Sequence, residues 1–174
     1  MNPSLGVVTR TGLIGALGIG FPLALHMAGL SQIAQFLLPM FLPLAGGAFF
    51  LPFSAAVFIG AATPLLSALL TGMPPLAPPI AFMMMVELAI MMGVIAIVYR
   101  NVRANVWIAL IAGIVADRVV LALLAAGLAE TLGLPPALIT WASLAAGIPG
   151  IALILLVVPP VVKRLATYSI RRPC

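Results

Sequence analysis

Long apolar stretches alternate along this chain with short breaks of glycine, proline and polar residues. Each stretch approaches the roughly 20 residues that a membrane-spanning helix requires. The pattern predicts helices at about 11–29, 33–51, 53–70, 79–99, 105–128 and 138–162. The expected architecture is an all-α integral membrane protein. It is a compact bundle of six transmembrane helices, forming a single membrane domain over residues 1–174. The first apolar run follows Arg10 and carries no convincing cleavage site, so it reads as a retained helix.

Composition sharpens this picture. With 64% hydrophobic and 6% charged residues, the chain cannot dissolve in water as a globule. A net charge of +5 would suggest nucleic acid in a soluble protein. Here the basic residues flank apolar spans, which excludes that reading and gives them an orienting role at the lipid bilayer. With six spans, seven of the eight basic residues share one side: Arg10, Arg100, Arg103, Lys163, Arg164, Arg171 and Arg172. The positive-inside rule then places both termini in the cytoplasm and the chain in the cytoplasmic (inner) membrane. Cys174 is the sole cysteine and the last residue, so an internal disulfide and a multi-cysteine metal site are both excluded.

Prolines punctuate the spans. Pro39, Pro43, Pro64 and Pro149 fall inside predicted helices two, three and six, where they kink the helix or break it to line a cavity. Thr71 to Pro79 holds four prolines and cannot continue a helix. It is a stiff connection, either a plain linker or a cap over an outward-facing pocket. Helix one carries Gly12, Ala16, Gly20, Ala24 and Ala28 at a spacing of four, which makes one small face. Small faces admit close helix approach, so this stripe serves internal packing or the docking of a separate membrane subunit.

Charge within the spans is rare and expensive. Glu87 lies about 12 Å below one face and Asp117 and Arg118 about 18 Å from the other, at 1.5 Å per residue. In a core about 30 Å thick the three share one depth, so Glu87 and Arg118 are expected partners across adjacent helices. Asp117 and Arg118 are neighbours whose side chains diverge by about 100°, and they are not expected to pair. The group is either a structural ion-pair cluster or the polar floor of a ligand cavity. Its charges sum to −1, which calls for a proton, a positive partner such as His26, or a bound substrate. The balance favours a neutral or cationic ligand.

Other polar and adaptable side chains cluster at the outer ends. Gln32 and Gln35 follow helix one, and Thr140, Trp141 and Ser143 open helix six. Trp141 is an interfacial anchor or the wall of a pocket. Met83, Met84, Met91 and Met92 flank Glu87, and Met73 sits in the outer connection. Methionine suits a core and also an irregular binding site. The candidate substrate-binding residues are thus His26, Gln35, Met73, Met84, Glu87, Arg118 and Trp141. No phosphate-binding loop, HExxH or GxSxG pattern occurs, so the chain is not expected to hydrolyse ATP or to be an enzyme, and no cofactor is implied.

Several segments carry a family resemblance. They are Leu38-Pro39-Met40-Phe41-Leu42-Pro43, Thr63-Pro64-Leu65-Leu66-Ser67, Thr71-Gly72-Met73-Pro74-Pro75, Met84-Met85-Val86-Glu87-Leu88-Ala89 and Gly147-Ile148-Pro149-Gly150-Ile151 through Pro159-Pro160. In this order, behind a small-residue first helix, they resemble the substrate-binding S components of energy-coupling factor (ECF) vitamin transporters. The resemblance implies a binder of a vitamin or vitamin precursor with an outward-facing pocket. It implies a membrane coupling subunit and two cytoplasmic ATPases as partners. It also makes Gly12, Ala16, Gly20 and Ala24 the docking face for the coupling subunit. Phe41, Met91 and Met92 depart from that pattern, where relatives often carry a histidine and a Tyr-Gly pair. The alternative is a structural membrane scaffold of the rod-shape MreD type, which needs partner surfaces but no closed polar pocket. A transporter acting alone would show inverted repeats, and none is visible.

Overall fold

A computed structural model describes residues 3–30, 37–76, 80–132 and 147–170. Among these, six α-helices and no strands form: α1 (Pro3–Met27), α2 (Phe41–Ala48), α3 (Phe53–Thr71), α4 (Ile80–Arg100), α5 (Val106–Leu132) and α6 (Ile148–Ile170). All except α2 are long and apolar enough to cross a membrane. The chain is a helical, multi-pass membrane protein.

The helix ends follow local chemistry. Pro3 opens α1, where its missing N–H costs no helical bond. The helix starts about eight residues before the expected position 11. Thr9 and Thr11 do not break it, because their hydroxyls donate to the carbonyls of Leu5 and Val7 at 2.9 and 2.8 Å. Gly72 closes α3 in the left-handed conformation, φ 73°, and donates to the Ala68 carbonyl. Asn105 caps α5, its Oδ1 accepting from Ile108 N–H at 2.9 Å.

The expected second helix, about 33–51, is not continuous over its described part. Leu37 is helical, Leu38 has φ 47° and Pro39–Met40 form a turn, so a separate helical stretch starts at Phe41. Eight residues rise about 12 Å, well short of a span. Pro43 is tolerated because it falls in the first turn, and Pro149 sits likewise in the first turn of α6 rather than at a mid-helix kink. Residues 133–146, which hold the expected start of helix six, lie outside the described residues. Pro64 lies inside α3 as expected, and among the described residues Pro22 in α1 and Pro159 and Pro160 in α6 are also inside helices.

Glycines set the helix contacts. A Cβ on Gly60 would meet the Leu88 carbonyl oxygen at 2.6 Å, so α3 and α4 touch backbone to backbone. Gly113 brings α5 against Ile95 and the Met91 carbonyl of α4 in the same way. Gly15 and Gly18 seat α1 against Ile59 and Thr63 of α3 and Leu44 of α2. The core then fills with Leu44, Leu51, Leu88, Met91, Met92, Ile95, Leu110 and Ile154. At the far end of α4, Tyr99 meets Phe49 edge-on, with ring centroids 4.9 Å apart.

Candidate functional site

The C-terminal ends of α1 and α3, the turn before α2 and the N-terminal end of α4 enclose a cavity of about 390 Å³. That volume falls within the range of small-molecule sites, about 300–1,000 Å³. Pro22 and His26 enter it from α1, Ser67 and Thr71 from α3, and Ile80 and Met84 from α4. The turn adds Leu38 to Phe41. Proline rings and apolar side chains make up most of the wall.

One side of the cavity is the connection after α3, and hydrogen bonds hold it there. Ser67 Oγ donates to the Met73 carbonyl at 2.7 Å, and Thr71 Oγ1 donates to the Ser67 carbonyl at 2.7 Å. Met73 N–H donates back to Thr71 Oγ1 at 3.3 Å. Farther along, Ala81 N–H donates to the Pro75 carbonyl at 3.2 Å. This folds Met73 and Pro74 over α3 and into the cavity wall. The described part of the connection is thus part of the cavity wall.

The charged residues lie elsewhere. Asp117 is fully buried, and its Oδ2 accepts from Arg118 Nε at 2.9 Å and Nη2 at 2.8 Å. This corrects two expectations. Sequence neighbours pair after all, because the long guanidinium side chain folds back onto the adjacent carboxylate. In an apolar environment that contact outweighs the divergence of the two Cα–Cβ bonds. Arg118 is consequently not paired with Glu87; among the described residues the Asp117–Arg118 contact is the one ion pair. Glu87 is buried at 4% exposure, and neither it nor Arg118 is part of the cavity wall. His26 lies at the cavity and pairs with no carboxylate among the described residues.

His26, Met73 and Met84 are therefore brought together at the cavity, whereas Glu87 and the Asp117–Arg118 pair lie outside its wall. Gln35 and Trp141 lie outside the described residues, as do Gln32, Thr140, Ser143 and Cys174. Met91 and Met92 are fully buried core. No family model, curated protein or solved structure matches this chain. The cavity's own geometry is what remains to read function from.

Two polar residues of that geometry escaped the choice of candidates. Thr63, Ser67 and Thr71 repeat every four residues up α3, so they share one face, and the upper two reach the cavity. That spacing in an otherwise apolar helix was the available signal. Pro22, also in the wall, carries no polar signature and leaves none.

The helix-one stripe is resolved in part. Gly12, Ala16, Gly20, Ala24 and Ala28 are all exposed, and a Cβ on Gly12 or Gly20 would meet nothing within 4 Å. Internal packing of α1 uses the adjacent face, Ile14, Gly15 and Gly18, which is buried. Among the described residues the stripe makes no close packing contact.

Proposed function

We propose that this protein is the substrate-binding S component of an ECF-type importer for a vitamin or vitamin precursor. The observation that carries the reading is the cavity of about 390 Å³ at one end of the helices. It lies at the opposite end of α4 from Arg100, and so away from the basic loop at Arg100 and Arg103. With that loop in the cytoplasm, the cavity opens outward. A scaffold has no use for such a cavity.

Six crossings also fit the geometry. His26 of α1 and Thr71 of α3 reach the same cavity with their helices' C-terminal ends, so α1 and α3 run parallel. The chain between them has to return through the membrane. The segment from Leu38 at the cavity to Phe49 beside Tyr99 is the described part of that return, with α2 its regular portion. Both termini then face the cytoplasm, and the exposed stripe on α1 is the docking face for a membrane coupling subunit energised by two ATPases.

The test has two arms. Native mass spectrometry of gently extracted protein should find a small molecule bound. Uptake of that molecule in vesicles should require the coupling subunit and ATP hydrolysis by its ATPases. Uptake by this chain without ATP, or a wild-type protein that never carries or binds a small molecule, overturns the reading.

A further inference from the structure

The hydrogen-bonding groups of the cavity select the chemistry of its ligand. Among the described residues, only His26, Ser67 and Thr71 bring polar side chains to the wall, and no carboxylate, lysine or arginine lines it. A hydroxyl has one proton and two acceptor lone pairs. Ser67's proton is committed to the Met73 carbonyl, since a carbonyl can only accept. Thr71's proton is committed in the same way to the Ser67 carbonyl. Toward the cavity both residues therefore present lone pairs alone. Thr71 already accepts from Met73 N–H, while Ser67 Oγ accepts from nothing among the described residues. Ser67 is buried at 3% exposure, so an acceptor at that depth gains most from a ligand donor.

Phe41 N–H is spent on the Leu38 carbonyl, and Pro22, Pro39 and Pro74 have none. A carboxylate placed against Ser67 and Thr71 would confront oxygen lone pairs with no side-chain donor but His26.

We infer that the cavity selects a largely apolar ring compound that carries an amino or amide N–H on one edge and no carboxylate, the N–H donating to Ser67 Oγ. This rests on the cavity being the substrate site. Pro22, Pro39, Phe41 and Met84 supply the apolar walls for the ring.

The full-length protein in lipid nanodiscs tests this with three probes of equal shape: 4-aminoquinazoline, quinazoline and quinazoline-4-carboxylate. Titration followed by saturation-transfer NMR gives a Kd for each. The amino compound should bind about tenfold tighter than either other probe, the size of one well-made hydrogen bond. Ser67→Ala should erase that preference while the parent ring still binds. Thr71→Val, which keeps the Ser67–Met73 bond, should retain it. Met84→Trp should fill the cavity and abolish binding of all three. The proposal is overturned if the carboxylate binds tightest, whether or not His26→Ala abolishes that binding. It is overturned equally if Ser67→Ala folds and keeps the preference, or if none of the probes binds the wild type. Should Ser67→Ala not fold, Ser67→Cys takes its place, as a weaker acceptor expected to reduce the preference; an unchanged preference would then count against the proposal. ATP-dependence of uptake is read separately, so an importer for a carboxylate ligand would sink the donor rule and leave the transport reading standing.

Discussion

Gly60 and Gly20 show how differently one residue type acts at two places. Gly60 is buried where a Cβ would lie 2.6 Å from the Leu88 carbonyl oxygen, which is rigid backbone. Gly60→Ala should destabilise by about 1–3 kcal/mol, the usual cost of overpacking. Gly20 faces open space, and Gly20→Ala should be neutral or stabilise the helix by up to about 1 kcal/mol. Thermal unfolding of both variants in the same detergent decides the matter; equal shifts would contradict the packing described. The charged residues invite a similar contrast. Arg118→Ala leaves the Asp117 carboxylate buried and unpaired, with Oδ1 already lacking a partner, so a loss of about 3–5 kcal/mol is expected. Asp117→Asn in the same chain should recover much of it. Glu87→Gln, which removes no ion pair, should not recover it. Recovery by Glu87→Gln instead of Asp117→Asn would restore the partner expected from sequence depth alone.

At the scale of elements, apolar run length placed α3, α4 and α5 within a few residues, and Gly72 and Asn105 mark two of their ends. It failed where the run contained its own breaks. Residues 33–51 are apolar enough for a helix, but the positive φ of Leu38 and the turn at Pro39–Met40 divide them. Hydropathy measures burial in lipid and is blind to backbone geometry. The candidate site was legible to the same extent. His26, Met73 and Met84 were found because end-of-helix polarity and adaptable side chains are visible in sequence. The Arg118 pairing was missed because depth along a helix does not tell which way a long side chain folds. The stripe on α1 gives a prediction at this scale. Ala16 is exposed, so Ala16→Leu should leave folding and ligand binding unchanged while blocking close approach of a partner helix. Energised uptake should fall, and pull-down of the coupling subunit should weaken. Loss of folded protein in Ala16→Leu would return the stripe to internal packing.

For the whole molecule the decisive quantity is the number of crossings. Among the described residues five helices are long enough to span, and an odd total would put the termini on opposite sides. The parallel course of α1 and α3 argues for one more crossing between them, made by a segment that is broken at Leu38–Met40 and continues in the short α2. A helix that short leaves backbone groups that lipid cannot satisfy. Such a segment is stable only inside the protein. Phe41, Leu44, Ala45 and Ala48 are accordingly buried, and Leu51 below them is fully so. On the proposed reading this segment reverses the chain without a long apolar helix. Labelling with a membrane-impermeant maleimide tests it. Leu76→Cys, in a Cys174→Ser background, should react only from outside, beside the cavity. Asn101→Cys in that background, and Cys174 in the natural sequence, should react only from the cytoplasmic side. If Ser4→Cys in that background and Asn101→Cys label from opposite sides, an odd number of crossings separates them and the return crossing is wrong. If Leu76→Cys labels from the cytoplasmic side, the cavity faces inward and the positive-inside assignment fails with it.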